Sequence, residues 1–132
     1  MSELYDQGMA VRRAVLGDAY VDRSLQSGTE FREPMQELVT EFCWGAVWNR
    51  PGLERKTRSL LTIAMLAALG RTDELKLHVR ATRNTGATRE EVKEVLLQVA
   101  VYAGVPAANA AFHHAKAAYQ EMDASDPGEN AT

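Results

Sequence analysis

Residues 75–82, Leu75-Lys76-Leu77-His78-Val79-Arg80-Ala81-Thr82, alternate apolar and polar side chains, and their reading decides the fold. Taken alone the alternation is a strand pattern. A lone two-sided strand is not stable without partner strands. The chain offers none: no Asn-Gly or Asp-Gly hairpin signal sits between alternating runs anywhere in it. The segment therefore reads as helix, and Leu75, His78, Val79 and Thr82 then share one stripe.

The surroundings agree. Downstream, Gly86 is a natural left-handed stop. Thr88-Arg89-Glu90-Glu91 is a capping box that opens a helix with Val92, Val95, Leu96, Val99, Ala100 and Ala103 on its inner face. Leu97, Val101 and Tyr102 widen that face, so burial on two sides is expected, as in a bundle or an oligomer. After Gly104 and Pro106 an alanine-rich helix runs to about Met122, and residues 123–132 form a polar tail read as disordered.

Upstream, Thr72 or Asp73 can cap the helix that contains His78. Before it, a helix from about Leu53 to Leu69, closed by Gly70, becomes apolar nearly all round after Ser59, the pattern of a central helix. Pro51 and Gly52 separate it from a helix of about Pro34 to Trp48. There Met35, Leu38, Val39, Phe42, Cys43 and Ala46 form an apolar stripe expected to face inward. Beside it Glu37, Glu41, Trp44 and Trp48 form a row suited to the rim of a cleft or to a partner chain. A first helix spans about Ser2 to Leu16 and ends at Gly17, and Asp18 to Thr29 is polar and turn-rich with room for one short helix. The expected fold is all-α: a single-domain bundle of about six helices over residues 1–122.

Composition narrows the function classes. The 132 residues fit one core, and 45% apolar with 25% charged side chains is the balance of a soluble globular protein. The net charge of −3 arises from 18 acids and 15 bases mixed along the chain, so no basic stripe invites nucleic acid. Cys43 is the one cysteine, which rules out an intramolecular disulfide or a cysteine-based zinc site within a chain. The N-terminus lacks a secretory apolar block, and the densest apolar run, Leu60 to Leu69, is about half a bilayer span. A cytoplasmic protein with no membrane contact is expected.

His78 is the most informative side chain. On a stripe otherwise made of Leu75 and Val79 it enters a partly apolar setting where an imidazole can serve acid–base chemistry, although a core or interface histidine held by a backbone carbonyl has the same pattern. Glu41, one turn from Glu37 and near Trp44, reads either as a proton donor with a raised pKa or as a solvated acid. His113 shares a stripe with Asn109, Lys116 and Gln120 and reads as solvent-facing, while His114 lies towards the alanine side. Arg50, Arg55, Arg58, Arg71, Arg80 and Arg83 gather near helix ends, and their forked donors suit carboxylates. No helical metal-ligand spacing, no nucleophile elbow and no phosphate loop occurs, so no metal and no nucleotide cofactor is expected.

Several segments together resemble the carboxymuconolactone decarboxylase family: Trp44-Gly45-Ala46-Val47-Trp48-Asn49-Arg50-Pro51-Gly52-Leu53, Arg55-Lys56-Thr57-Arg58-Ser59-Leu60, Glu74-Leu75-Lys76-Leu77-His78-Val79-Arg80, Asn84-Thr85-Gly86-Ala87-Thr88-Arg89-Glu90-Glu91 and Tyr102-Ala103-Gly104-Val105-Pro106-Ala107-Ala108-Asn109. The resemblance covers about Leu4 to Tyr119, nearly the whole chain. It implies an alkylhydroperoxidase D-like helical fold in a ring-like homo-oligomer, a hexamer. The peroxidase branch of that superfamily places cysteines where this chain has Arg71 and Glu74, so thiol-based peroxide reduction is not expected.

What the resemblance implies is a carboxy-lyase of protocatechuate catabolism, in the β-ketoadipate pathway: 4-carboxymuconolactone loses carbon dioxide to give the β-ketoadipate enol-lactone. The departing carboxylate sits on a ring carbon conjugated through a double bond to the lactone carbonyl, so a dienolate receives the electrons and no cofactor is needed. The protein then holds the carboxymethyl arm, stabilises charge on the lactone oxygen and delivers a proton beside the carbonyl. His78 is the candidate for one of the last two tasks and Glu41 the second candidate for proton handling. Arg58 and Arg80 are candidate carboxylate clamps and Trp44 a pocket wall. Two alternatives stay open: the same fold turning over a different lactone or keto acid, and a non-catalytic oligomeric module.

Overall fold

The computed structural model describes Ser2–Ser125, which form seven α-helices, one π-helix and, among these residues, no strand. The part of the expected polar tail at residues 126–132 lies outside the described residues. The chain divides after Arg58 into two compact units.

The first unit starts with α1 (Glu3–Leu16), whose N-cap Ser2 accepts a hydrogen bond from the Tyr5 amide at 3.1 Å. The turn-rich stretch folds into a ten-residue helix, α2 (Asp18–Ser27). The helix expected over 34–48 is there but not of one kind: α3 (Glu33–Leu38), with Pro34 in its first turn, passes directly into a π-helix over Val39–Trp48. Helix α1 packs on the π-helix and on α2.

The expected inward face of this segment is the outward one. Met35, Leu38 and Phe42 are 52%, 57% and 59% exposed, whereas Gln36, Thr40, Trp44 and Gly45 are buried. Two physical causes act together. From Val39 onward the i→i+5 pairing of the π-helix winds the chain more loosely than 3.6 residues per turn, so the later part of a stripe drawn at α spacing drifts away from the face that Met35 and Leu38 begin on α3. Close approach of α1 also needs small residues on both sides: a Cβ on Gly8 would stand 2.0 Å from the Thr40 carbonyl oxygen, and one on Gly45 would stand 2.6 Å from the Leu4 carbonyl oxygen. Backbone lies on backbone here, and the glycine-bearing side of the helix must turn inward.

The helix α4 (Arg55–Leu69) leads into the second unit, followed by α5 (Thr72–Thr85), α6 (Arg89–Tyr102) and α7 (Val105–Ser125). The alternating segment 75–82 is helical, as the lack of a partner strand requires. Gly86 ends α5 at φ 85°, a left-handed conformation that costs glycine nothing. The capping box of α6 forms in both directions, Thr88 Oγ1 accepting from the Glu91 amide and Glu91 Oε1 from the Thr88 amide. The core gathers Ile63 and Ala67 of α4, Leu75 and Val79 of α5, Val92, Leu96 and Val99 of α6, and the Ala108, Ala111, Ala115 and Ala118 stripe of α7. Alanines let α7 lie close to both α5 and α6. The expected two-sided burial of α6 is one-sided within the chain, since Leu97, Val101 and Tyr102 are exposed, as are Leu61, Met65 and Leu69 of α4.

Candidate active-site residues and family

His78 stands on α5 with Leu75, Val79 and Thr82, all three buried, along the stripe read from the sequence. Its ring is largely enclosed and Nδ1 is shut off from solvent. Burial drives its pKa down to about 4, against a smaller upward pull from Glu74 one turn earlier. At neutral pH His78 is therefore an uncharged imidazole, able to donate one N–H hydrogen bond but not to carry an extra proton. Near the C-terminal end of the same helix, Thr85 Oγ1 donates to the fully buried Ser59 Oγ at 3.0 Å. Thr82 Oγ1 donates to the Val79 carbonyl at 2.5 Å.

Arg80 stands two residues on, and its guanidinium is already engaged: Nη1 meets Glu121 Oε2 of α7 at 3.1 Å, while Lys76 holds the other oxygen at 2.9 Å. Lys76, with help from Arg80, keeps the Glu121 carboxyl below the usual range. A carboxylate ligand would have to displace Glu121 to use Arg80 as a clamp. Arg58, half-buried at the end of the first unit, donates from Nη2 to the Arg50 carbonyl at 3.4 Å.

Glu41 and Trp44 both sit on the π-helix in the first unit. The Ser2 hydroxyl donates to Glu41 Oε1 at 3.0 Å, so one residue caps α1 and tethers the carboxylate. Trp44 is buried and its ring lies 4.8 Å from that of Trp48 at 35°. The row Glu37, Glu41, Trp44 and Trp48, expected as a rim, is half-buried to buried. The structure thus brings Glu41 and Trp44 together on one element of the first unit, and His78 and Arg80 on one helix of the second. His113 is exposed, as its polar stripe implied, and contacts His114 edge-on with ring centroids 5.3 Å apart.

Sequence reasoning missed a buried polar group in the first unit. Arg12 is only 5% exposed, and its partners are the Ser24 and Thr40 hydroxyls at 3.2 and 3.5 Å. Burial lowers its pKa. The available signal was Gln36 and Thr40 spaced i, i+4 on the glycine side of the helix. The neighbouring apolar stripe of Met35, Leu38 and Phe42 is the stronger pattern and masks it. Among the described residues no three His, Cys, Asp or Glu side chains are grouped to hold a metal ion, and no helix is long and apolar enough to cross a membrane.

The carboxymuconolactone decarboxylase family model matches residues 33–117, from the start of α3 into α7. The 4-carboxymuconolactone decarboxylase of Acinetobacter baylyi is 50% identical over 118 residues, 89% of this chain and 88% of that protein. The nitrosuccinic acid decarboxylase of Metarhizium robertsii is 48% identical over 103 residues, 78% and 72% of the two chains. The 4-carboxymuconolactone decarboxylase of Pseudomonas putida is 54% identical over 41 residues, 31% of this chain and 85% of that one. With its family match across all but the first helices and its relative aligned nearly end to end, the chain belongs to the carboxymuconolactone decarboxylase family.

Proposed function

We propose that this protein decarboxylates 4-carboxymuconolactone to the β-ketoadipate enol-lactone. The observation that carries the reading is the 50% identity to the Acinetobacter enzyme across 89% of the chain. The substrate's conjugated lactone accepts the electrons that carbon dioxide leaves behind, so the reaction calls for no metal or organic cofactor. What the protein must add is stabilisation of charge on the lactone oxygen and a proton for the carbon beside the carbonyl.

The neutral state of His78 supports one of those tasks over the other. A ring held at a pKa of about 4 is a poor source of a proton at neutral pH. It is a good fixed donor to a developing oxyanion, because a neutral imidazole in a dry site needs no reorganisation as charge arrives, and such a donor is worth about 3 kcal/mol. We assign it that role and keep Glu41, tethered by Ser2, for proton handling, with Trp44 as pocket wall and Arg58 as carboxylate clamp. Arg80 is the second candidate clamp, with Glu121 to be displaced when a carboxylate binds. The same reading makes the protein a cytoplasmic homo-oligomer, a hexamer. The exposed apolar faces of α3, the π-helix, α4 and α6 support the oligomer.

A second reading has its own support in the 48% identity to the nitrosuccinic acid decarboxylase. Nitrosuccinic acid and 4-carboxymuconolactone share a pattern: one carbon bears the carboxylate that can leave, a carboxymethyl arm and an electron-accepting group. A pocket that grips the arm and donates to the acceptor's oxygen suits either. The test is turnover of both compounds by wild type, His78→Ala and Glu41→Gln at matched oligomeric state. Lactone turnover that falls about 10²-fold or more in His78→Ala supports the assignment. No lactone turnover alongside nitrosuccinate turnover overturns the first reading in favour of the second, and full activity in Glu41→Gln removes that residue.

A further inference from the structure

Four side chains from four successive elements close a ring of hydrogen bonds inside the first unit. Arg12 Nη2 of α1 donates to Ser24 Oγ of α2 at 3.2 Å. Gln36 Nε2 of α3 donates to the same oxygen at 3.1 Å and to the Ser24 carbonyl at 3.3 Å. Thr40 Oγ1 of the π-helix donates to the Gln36 carbonyl at 2.7 Å, and Arg12 Nη1 returns to Thr40 Oγ1 at 3.5 Å. Arg12, Gln36 and Thr40 are all buried. A buried guanidinium among neutral oxygens adds little to stability and often subtracts from it, so the ring does not read as a stabilising device.

Its position suggests its use. The Gln36 carbonyl lies at the junction where α winding gives way to π winding, and it receives both the Val39 amide and the Thr40 hydroxyl. Next along the chain, Gly8 of α1 rests on the carbonyl of residue 40 and the amide of residue 45, where its Cβ would come to 2.0 and 2.8 Å. Those two atoms are an i, i+5 pair, the pairing that defines a π turn. The ring grips the junction from one end and α1 lies against the first turns beyond it. Two π turns in succession are unusual, since π winding mostly occurs as single-turn bulges, frequently at functional sites.

We propose that Arg12 and Thr40 are positioning residues: they pin the change from α to π winding and thereby set the directions in which Glu41 and Trp44 leave the backbone. The two windings place different numbers of residues in each turn, so a slip at residue 40 rotates every later side chain about the helix axis. Glu41 follows the pin directly, and Trp44 and Trp48 lie within the next two turns. The link to catalysis rests on the decarboxylase reading, but the link to register does not.

The experiment reads both. The chain has only two tryptophans, and their rings, 4.8 Å apart at 35°, form an exciton pair whose circular-dichroism couplet reports their mutual orientation. Thr40→Val keeps the shape and removes the hydroxyl, Thr40→Ser keeps the hydroxyl, and Arg12→Lys keeps the charge but not the fork. Leu96→Ala, in the core of the second unit, controls for lost stability. The proposal expects Thr40→Val and Arg12→Lys to change the couplet and to lower kcat about 10- to 100-fold with little change in KM, the signature of mispositioned groups. Thr40→Ser should restore both, and Leu96→Ala should leave the couplet unchanged at equal loss of stability. An unchanged couplet in Arg12→Lys, or an equal change in Leu96→Ala, overturns the proposal. Should Thr40→Val not fold, Arg12→Lys against Thr40→Ser decides the question. A wild type inactive on both decarboxylase substrates sinks the function and leaves the couplet to judge the register.

Discussion

The pKa of His78 makes its role testable by pH alone. The folded value of about 4 lies below the ordinary 6.5, so between the two the unfolded chain binds a proton that the folded chain refuses. The stability that this refusal represents is fully present above about 6.5 and is lost as pH falls through about 4. Denaturant titrations at pH of about 7 and about 4.5 should show a marked loss of stability in wild type and a smaller one in His78→Gln. The same ordering applies to catalysis. If His78 acts as a neutral donor, kcat/KM stays level through 6.5, as far as this residue is concerned, and falls only near 4. A fall centred near 6.5 would show that the imidazole titrates freely and would remove the oxyanion assignment. His78 was legible from sequence because its stripe is local, set by Leu75, Val79 and Thr82 on one helix. Arg80 was not, because the acid that occupies it, Glu121, lies 41 residues away on α7.

Among elements, legibility followed local signals. The helices with caps and glycine stops came out nearly as read: α1 from Ser2 to Gly17, α5 to Gly86, α6 from its Thr88 capping box. The start of α5 did not, for neither Thr72 nor Asp73 caps it; Arg71 holds the N-cap position without a side-chain bond. The π-helix was unreadable for a physical reason. A pattern search at 3.6 residues per turn assumes the winding it sets out to find, and here the chain winds otherwise. The glycines were the better guide to the inward face. Gly8→Ala is expected to cost about 3 kcal/mol, the upper end for overpacking, because the added methyl meets a backbone carbonyl that cannot swing aside. Gly52→Ala, with open space around its Cβ, should leave stability within about 0.5 kcal/mol when both variants are unfolded in urea.

At the scale of the whole molecule, both units expose large apolar residues. Phe31 in the turn before α3, Met35 and Leu38 on α3 and Phe42 on the π-helix are exposed in the first unit, and Leu97, Val101, Tyr102 and Val105 lie on and just beyond α6. If these faces meet other copies of the chain, two buried charges should weaken assembly about 100-fold or more. Sedimentation velocity of a Leu38→Glu, Phe42→Glu double variant should then show smaller species than wild type, while a monomeric wild type would end the oligomer reading. The two units also differ in what holds them. The second is knit by aliphatic side chains throughout, whereas the first adds to its buried Val11, Val15, Val21 and Trp44 a seam where α1 and the π-helix lie backbone on backbone. Aliphatic adhesion fades on cooling because its origin is the entropy of water, while the dispersion contacts of abutting backbones do not share that weakness. Chilling should therefore loosen the half that carries His78 before the half that carries Glu41. The molecule's tolerance of cold is set by its alanines, valines and leucines rather than by its glycines.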